Sequence, residues 1–481
     1  MTHATPRELG RERLTFGAGW PTVPRSGHRS HAAPLEEFES QTPALPKAAQ
    51  DWGVLGLFGF TAVLLLRPQD QVPLLTPLHL AEVFAAAGIL PMLMHRLTRG
   101  LPIIPMTPEV MGLLVFGATI LATAPFSIWP GGVVQAFLDT FVKVMVVFVL
   151  MMNTITTRKR FEQFSWLILL CCGYVAVLAL VNYARGINIV ERERLDGPVR
   201  GLMGNPNDLA MNLVTFMPLA VTIAMSYQHA TLKRLSAAAI TAAMFAVIIL
   251  TKSRSGALGL IVMVVTLVLL GRKVRRGFGT ITLAVTLAAV PLLPSSFWMR
   301  MSTIVNPAQD RALYTGSREA RSNVMREGIQ AFLTHPITGV GAGQFKNYNP
   351  PERQERWLET HNAFIQVAAE LGIVGLLAFS FLVYRAGYLG VRNLKQLAPI
   401  RRRRPGRHNA NAATDSADRR MLYGYAVGLM AGFAGWLVCS IFASIAYGWT
   451  FYYLLALICT LHALLPPVAR GRRHVQTTRA A

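Results

Sequence analysis

Charge is what this sequence is short of. Only 15% of its 481 residues are charged, against about 25% in an ordinary soluble domain. Hydrophobic residues make up 52%, and mean hydropathy is +0.39. A balance of this kind excludes the soluble class and points to a membrane protein. Cysteine is scarce too. Cys171, Cys172, Cys439 and Cys459 all stand in apolar runs and none in a loop. That placement excludes a disulfide-stapled scaffold, and without a CxxC or a Cys/His cluster no zinc site is expected. Acid is short relative to base, 24 Asp and Glu against 47 Lys and Arg, for a formal net charge of +23. On a soluble chain that excess suggests nucleic acid. On a polytopic chain the positive-inside rule accounts for most of it, so no nucleic-acid partner is expected. The first fifty residues lack any apolar stretch, so they hold no signal-peptide core. Rich in Pro, Arg, Thr and His, residues 1–50 read as a disordered cytoplasmic tail.

What is present is a series of apolar runs. About 20 apolar residues cross about 30 Å of hydrocarbon, fewer where flanking side chains snorkel. Twelve candidate spans emerge: Trp52–Leu66, Leu78–Met94, Val110–Trp129, Val133–Met152, Phe164–Tyr183, Leu209–Tyr227, Ser236–Leu250, Gly256–Leu270, Thr280–Leu293, Ala363–Tyr384, Leu422–Ala446 and Phe451–Val468. The expected fold is an all-α polytopic membrane protein of about 12 transmembrane helices. Residues 51–293 hold nine spans and 294–362 form a large extracytoplasmic loop expected to carry the chemistry. Residues 363–384 are the tenth span, 385–420 a basic cytoplasmic loop, 421–468 the last two spans, and 469–481 a cytoplasmic tail.

Loop charges test this order. With the N-terminus inside, the inside loops carry Arg96 and Arg99, then Arg158, Lys159 and Arg160, then Lys233 and Arg234, then Arg272, Lys273, Arg275 and Arg276. The run at 401–404 and Arg470, Arg472 and Arg473 fall on the same side. Three outside loops break the rule. Loop 184–208 carries Arg185, Arg192, Arg194 and Arg200; the turn after Leu250 carries Lys252 and Arg254; loop 294–362 carries Arg300, Arg311, Arg318, Arg321, Arg326, Lys346, Arg353 and Arg356. Cations on the disfavoured face call for an anionic ligand there.

Within the long loop, residues 319–334 place Val324, Met325, Ile329, Phe332 and Leu333 at helical spacing, which predicts an amphipathic helix ended by Pro336. Thr360-His361-Asn362 follows, with Thr360 as expected N-cap of the tenth span and His361 in its first turn. The positive helix end keeps an imidazole there neutral and able to accept a proton; an interfacial histidine with no role is the plainer alternative. The turn Arg200-Gly-Leu-Met-Gly-Asn205-Pro-Asn207-Asp exposes backbone N–H groups beside an arginine, which suits a phosphate, or is an ordinary turn. Arg254 in Ser253-Arg-Ser-Gly either faces the bundle as a functional charge or snorkels. Gly339-Val-Gly341-Ala-Gly343 has no preceding strand, so it reads as a tight re-entry toward the tenth span rather than a nucleotide loop. Gly424, Gly428 and Gly432 make a small-residue packing face, and Lys143 is expected to pair with Asp139 at i−4.

These stretches, in this order, resemble the O-antigen ligase and O-antigen polymerase family, envelope glycosyltransferases with a GT-C type multi-helix fold. The resembling segments run from Arg200 to Ala210, Thr251 to Ala257, Arg321 to Ile329, His335 to Phe345 and His361 to Leu376, and the likeness covers roughly residues 50–465. It implies a glycan donor on a polyprenyl pyrophosphate, usually undecaprenyl. It implies transfer with inversion to an acceptor hydroxyl of a lipid, glycan or protein at the outer face of the cytoplasmic membrane, in cell-surface polysaccharide or lipopolysaccharide synthesis. Neither metal nor other cofactor is implied. By the same resemblance His361 is the general base. Arg200, Arg254 and Arg321, with Arg318 as substitute, hold the pyrophosphate, and Asn205, Asn207, Asn362 and Gly341 help bind substrate. The family often has an aromatic four residues after the arginine of the surface helix; here Met325 stands in that place. Ligation and polymerisation share this chemistry and stay open as alternatives. A transporter or flippase of lipid-linked or anionic solutes is the competing class, but transporters often show repeated halves and none is visible.

Overall fold

The computed structural model describes residues 47–191, 193–227, 230–274, 277–306, 317–348, 359–398 and 410–465, with side chains left out at 47–51, 317–320 and 410–417. The expected tails lie almost wholly outside these residues, as do Arg192, Arg275, Arg276, Arg311, Arg353, Arg356, the 401–404 run and the arginines after 469.

Backbone groups in hydrocarbon must be satisfied within their own segment, which favours helices. The described chain is correspondingly helical: α1 (Lys47–Leu66), α2 (Leu80–Thr98), α3 (Pro108–Thr123), α4 (Pro130–Thr154), α5 (Arg158–Ala184), α6 (Pro206–Ser226), α7 (Thr231–Leu250), α8 (Arg254–Gly271), α9 (Phe278–Ala289), α10 (Ser295–Ser302), α11 (Ser317–Thr334), α12 (Ala363–Leu397), α13 (Ala410–Ser440) and α14 (Trp449–Ala463). One hairpin, β1 (Ile189–Val190) and β2 (Arg194–Leu195), pairs antiparallel between α5 and α6. Among the described residues nine helices are long and apolar enough to cross a membrane, or ten if the pair bent by 98° at 292–295 is one span. The protein is thus an all-α polytopic membrane protein. Two further apolar segments, Trp52–Leu66 and Trp449–Ala463, are shorter. In α14 every residue from Thr450 to Leu461 is buried, so neighbouring helices rather than the bilayer surround it.

The centre of the bundle is α13, which lies along α6 and α8. Its small-residue face makes this approach possible. A Cβ at Gly432 would stand 2.1 Å from the Thr215 carbonyl oxygen, and one at Gly428 3.1 Å from Leu219 Cα, both on α6. One charge pair bridges two helices inside the bundle, as expected where water is absent: Glu109 of α3 accepts from Arg385 Nε of α12 at 2.7 Å.

Three local expectations are corrected. Lys143 bonds Glu82 of α2 at 3.2 Å rather than Asp139, because a π turn over Phe137–Phe141 breaks the i, i+4 register between them. The apolar run to Ala446 is not helical throughout: α13 stops at Ser440, and 441–448 form a turn back into the bundle. The tenth span is capped by Asn362, not Thr360: the Asn362 side chain accepts from Phe364 N–H and Ile365 N–H at 2.9 and 3.0 Å.

Candidate active site

The site forms where the starts of α8 and α12 meet α11. At α8, Ser253 is the N-cap, its Oγ accepting from Gly256 N–H at 3.3 Å, which leaves Arg254 as the first helical residue. The turn before it is held from behind. Arg194, buried on β2, donates through Nε to the Thr251 carbonyl at 3.0 Å and through Nη2 to Asn207 Oδ1 at 2.8 Å. The same Asn207 oxygen accepts from Ser253 Oγ at 2.8 Å. Lys252, at φ 48° and also buried, pairs with Glu193 at 2.5 Å. Arg300 of α10 donates to Glu191 Oε2 at 3.0 Å, and Arg194 donates to Glu191 Oε1 at the same distance. Partial burial pushes the Glu191 carboxyl up, and the two guanidiniums more than offset it, so it stays below the usual carboxylate range. Three of the cations that break the charge rule, Arg194, Lys252 and Arg300, thus have acidic partners on the hairpin.

Arg254 and Arg321 stand elsewhere. They line a cavity of about 310 Å³ together with His361, and Met325, Ile304 and Phe442 supply apolar walls. Arg254 Nη1 donates to Thr303 Oγ1 at 3.1 Å, which fixes its head toward α10. Arg321, Ser322 and Met325 present one face of α11 to the cavity. The opposite side of α11 packs on the re-entrant loop: Val324 and Ala331 are buried with Val340, Phe345 and Ala369. That loop is tied to α12 by Val340 N–H to Ala369 O and Gly341 N–H to Glu370 O, both 2.9 Å.

His361 lies just outside α12, at φ 52°. Its backbone N–H donates to Ser444 Oγ at 2.9 Å, which pins it to the 441–448 turn. Burial, and then the nearby Arg321, pull its imidazole down from 6.5 to about 4. The neutral ring expected at this position is therefore present for a different reason: desolvation and a cation rather than a place in the first helical turn.

The other expected site residues whose side chains are described do not line this cavity. Arg200 is exposed, with its backbone N–H on Asp70 Oδ2 at 3.0 Å. Its turn folds onto the chain after α1, with Gly201 beside Arg67. Asn205 caps α6, accepting from Asn207 N–H and Asp208 N–H at 3.0 and 2.9 Å, and Asn362 caps α12. Asn207 braces the Arg254 turn, and Gly341, at φ 103°, packs its backbone against Ser127 and Val133. Arg318 belongs to α11, but its side chain lies outside the described residues. Sequence reasoning missed Thr303, Ser444 and the bracing role of Arg194. Arg194 was visible as a misplaced charge; the two hydroxyl residues carry no comparable signal.

A bundle of membrane helices whose loop end gathers two guanidiniums and an imidazole round one largely apolar cavity defines a class: polytopic membrane proteins with an arginine-lined pocket. Residues 239–380 match the family model described as O-antigen ligase. The match contains Arg254, Arg321 and His361 and begins after Arg200, Asn205 and Asn207. No curated protein matches the chain.

Proposed function

We propose that this protein transfers a glycan from a polyprenyl pyrophosphate to an acceptor hydroxyl at the outer face of the cytoplasmic membrane, as a ligase or a polymerase of surface polysaccharide. The observation that carries this reading is the convergence of Arg254, Arg321 and His361, from three separate segments, on one cavity. Guanidiniums match pyrophosphate oxygens in charge and geometry, and the cavity is also lined by the first residues of α8, Arg254 and Ser255, at a helix N-terminus, which favours an anion. The apolar walls suit the first carbons of a lipid chain.

The chemistry follows from these roles. The acceptor oxygen attacks the anomeric carbon while the bond from that carbon to the phosphate oxygen breaks. The bonding pair leaves with the pyrophosphate, whose growing charge meets Arg254 and Arg321. The hydroxyl proton passes to the neutral His361 imidazole, which later releases it to water. General-base help of this kind is worth about 10²–10⁴ in rate.

The test is transfer by purified full-length protein in phospholipid vesicles, with a polyprenyl-pyrophosphate glycan and the host's envelope glycolipids. His361→Ala is expected to lower the rate by about 10²–10⁴ with yield and melting temperature unchanged. Transfer at the wild-type rate by that variant would remove the base from the scheme, and no transfer by the wild type would remove the function.

A further inference from the structure

Behind His361 lies a second recess, of about 100 Å³, that the scheme above leaves unused. The wall between recess and cavity is thin. His361 lines the cavity while its neighbour Thr360 lines the recess, and Phe442 and Ser444 divide in the same way. The wall is also rigid. Thr360 Oγ1 donates to Asn362 O at 3.0 Å, so in its 2.9 Å pair with Ser444 the serine hydroxyl is the donor. Ser444 Oγ in turn accepts the His361 N–H. Every hydroxyl hydrogen in the wall is thereby assigned.

The recess itself differs from the cavity in kind. Glu370 stands at its floor, buried, with its carboxyl fixed by Gly343 N–H at 2.9 Å and Phe345 N–H at 3.3 Å. A carboxyl group has about four acceptor directions, so these two bonds leave capacity for a ligand. Gln366 accepts from Ala446 N–H through Oε1 at 3.3 Å, which leaves its NH2 as the donor end. Glu359 and Lys346 stand exposed at the rim, and Phe345 supplies an aromatic wall. With two carboxyl groups and one lysine the recess offers a phosphate no cationic clamp, and so many polar groups disfavour a lipid chain. Mixed donors and acceptors beside an aromatic ring match a sugar, with hydroxyls round its edge and C–H bonds on its face. The size suits one edge of a single ring, well below the roughly 300–1,000 Å³ of a site for a larger ligand.

We propose that this recess binds the sugar residue bearing the acceptor hydroxyl, with Glu359 and Gln366 holding its other hydroxyls and Phe345 against its apolar face. The assignment to acceptor rather than donor rests on the function proposed above. Displacement with inversion brings nucleophile and leaving group from opposite sides of the anomeric carbon. The arginines and apolar walls of the cavity take the pyrophosphate and its lipid, so the partner left for the polar recess beside them is the acceptor.

Two measurements on full-length protein in vesicles test this. In the first, donor and acceptor concentrations are varied independently for Glu359→Gln and Gln366→Leu. Each is expected to raise the acceptor KM about tenfold, the order of one lost hydrogen bond to a charged or buried partner, with the donor KM within twofold of wild type. An unchanged acceptor KM, or equal shifts in both constants, overturns the proposal. The second reads binding without turnover, by saturation-transfer NMR on delipidated saccharide from the host envelope. Signal on the wild type that is lost in the double variant supports the recess; equal signal in both, or none on the wild type, overturns it. Binding without any transfer sinks the proposed function and leaves the recess a saccharide site.

Discussion

At the scale of single residues, the decisive one is His361. An ordinary histidine titrates near 6.5 and is partly charged across much of the physiological range. Burial and Arg321 take this one to about 4, so its proton-accepting form persists through acid conditions that silence most histidine bases. The sign follows directly. The folded chain resists a proton that the unfolded chain accepts near 6.5, so acidification from about 6.5 toward 4 costs stability, while the base itself is lost only near the lower value. The expected kcat/KM for transfer is therefore level from pH 8 to about 5 and falls around pH 4, since that ratio reports the free enzyme. Arg321→Gln removes the second cause but keeps the burial, so the acid limb should move up without reaching 6.5. A wild-type limb near 6.5, measured in the same vesicles, would show that the imidazole meets water freely.

At the scale of elements, the site depends on how α12 begins. Gly372 breaks its regular geometry at φ 65° and ψ −162°, a region that only glycine occupies at low cost. The break lets Ile373 N–H bond Pro336 O at 2.8 Å, which draws the re-entrant loop against the helix and with it α11 and Arg321. A Cβ at 372 would lie 2.4 Å from the Ile337 carbonyl oxygen. Gly372→Ala is expected to cost about 1–3 kcal/mol in backbone strain alone, to lower the melting temperature by several degrees and to depress transfer. Gly387→Ala, on the same helix with its nearest neighbour at 3.4 Å, is the control expected to change neither. An unaltered Gly372→Ala protein would mean that the loop is not held by the break. Much of this architecture was legible in the sequence. Apolar runs give spans because hydropathy averages over twenty residues, and Arg254, Arg321 and His361 stood out because each sits on a polar island between such runs. The same averaging hid what depends on one hydrogen bond. The stop at Ser440, the π turn near Lys143 and the Asn362 cap are local events inside or beside apolar sequence. Ser444 and Thr303 are small hydroxyls whose partners lie 83 and 49 residues away, a distance no periodicity reports.

At the scale of the whole molecule, charge is sorted between the two ends of the bundle. Arg96 of α2 bonds Asn153 at the end of α4, Arg160 bonds the Thr154 carbonyl, Lys233 bonds Glu162, and Arg158 pairs with Asp418 of α13. These contacts hold four of the basic residues expected inside. Arg194, Lys252, Arg254, Arg300 and Arg321 gather at the other end, three of them matched to acids of the hairpin and two lining the cavity. On the positive-inside rule we propose that the first end faces the cytoplasm and that the cavity opens outside. Cysteine labelling can test this cleanly, because all four native cysteines are buried. In intact cells a membrane-impermeant maleimide is expected to label Lys346→Cys, which is exposed beside the recess, and to leave Lys273→Cys, after α8, untouched until the cells are opened. The reverse pattern would turn the bundle over and place the arginines in the cytoplasm, where a lipid-linked donor displayed on the outer leaflet could not reach them.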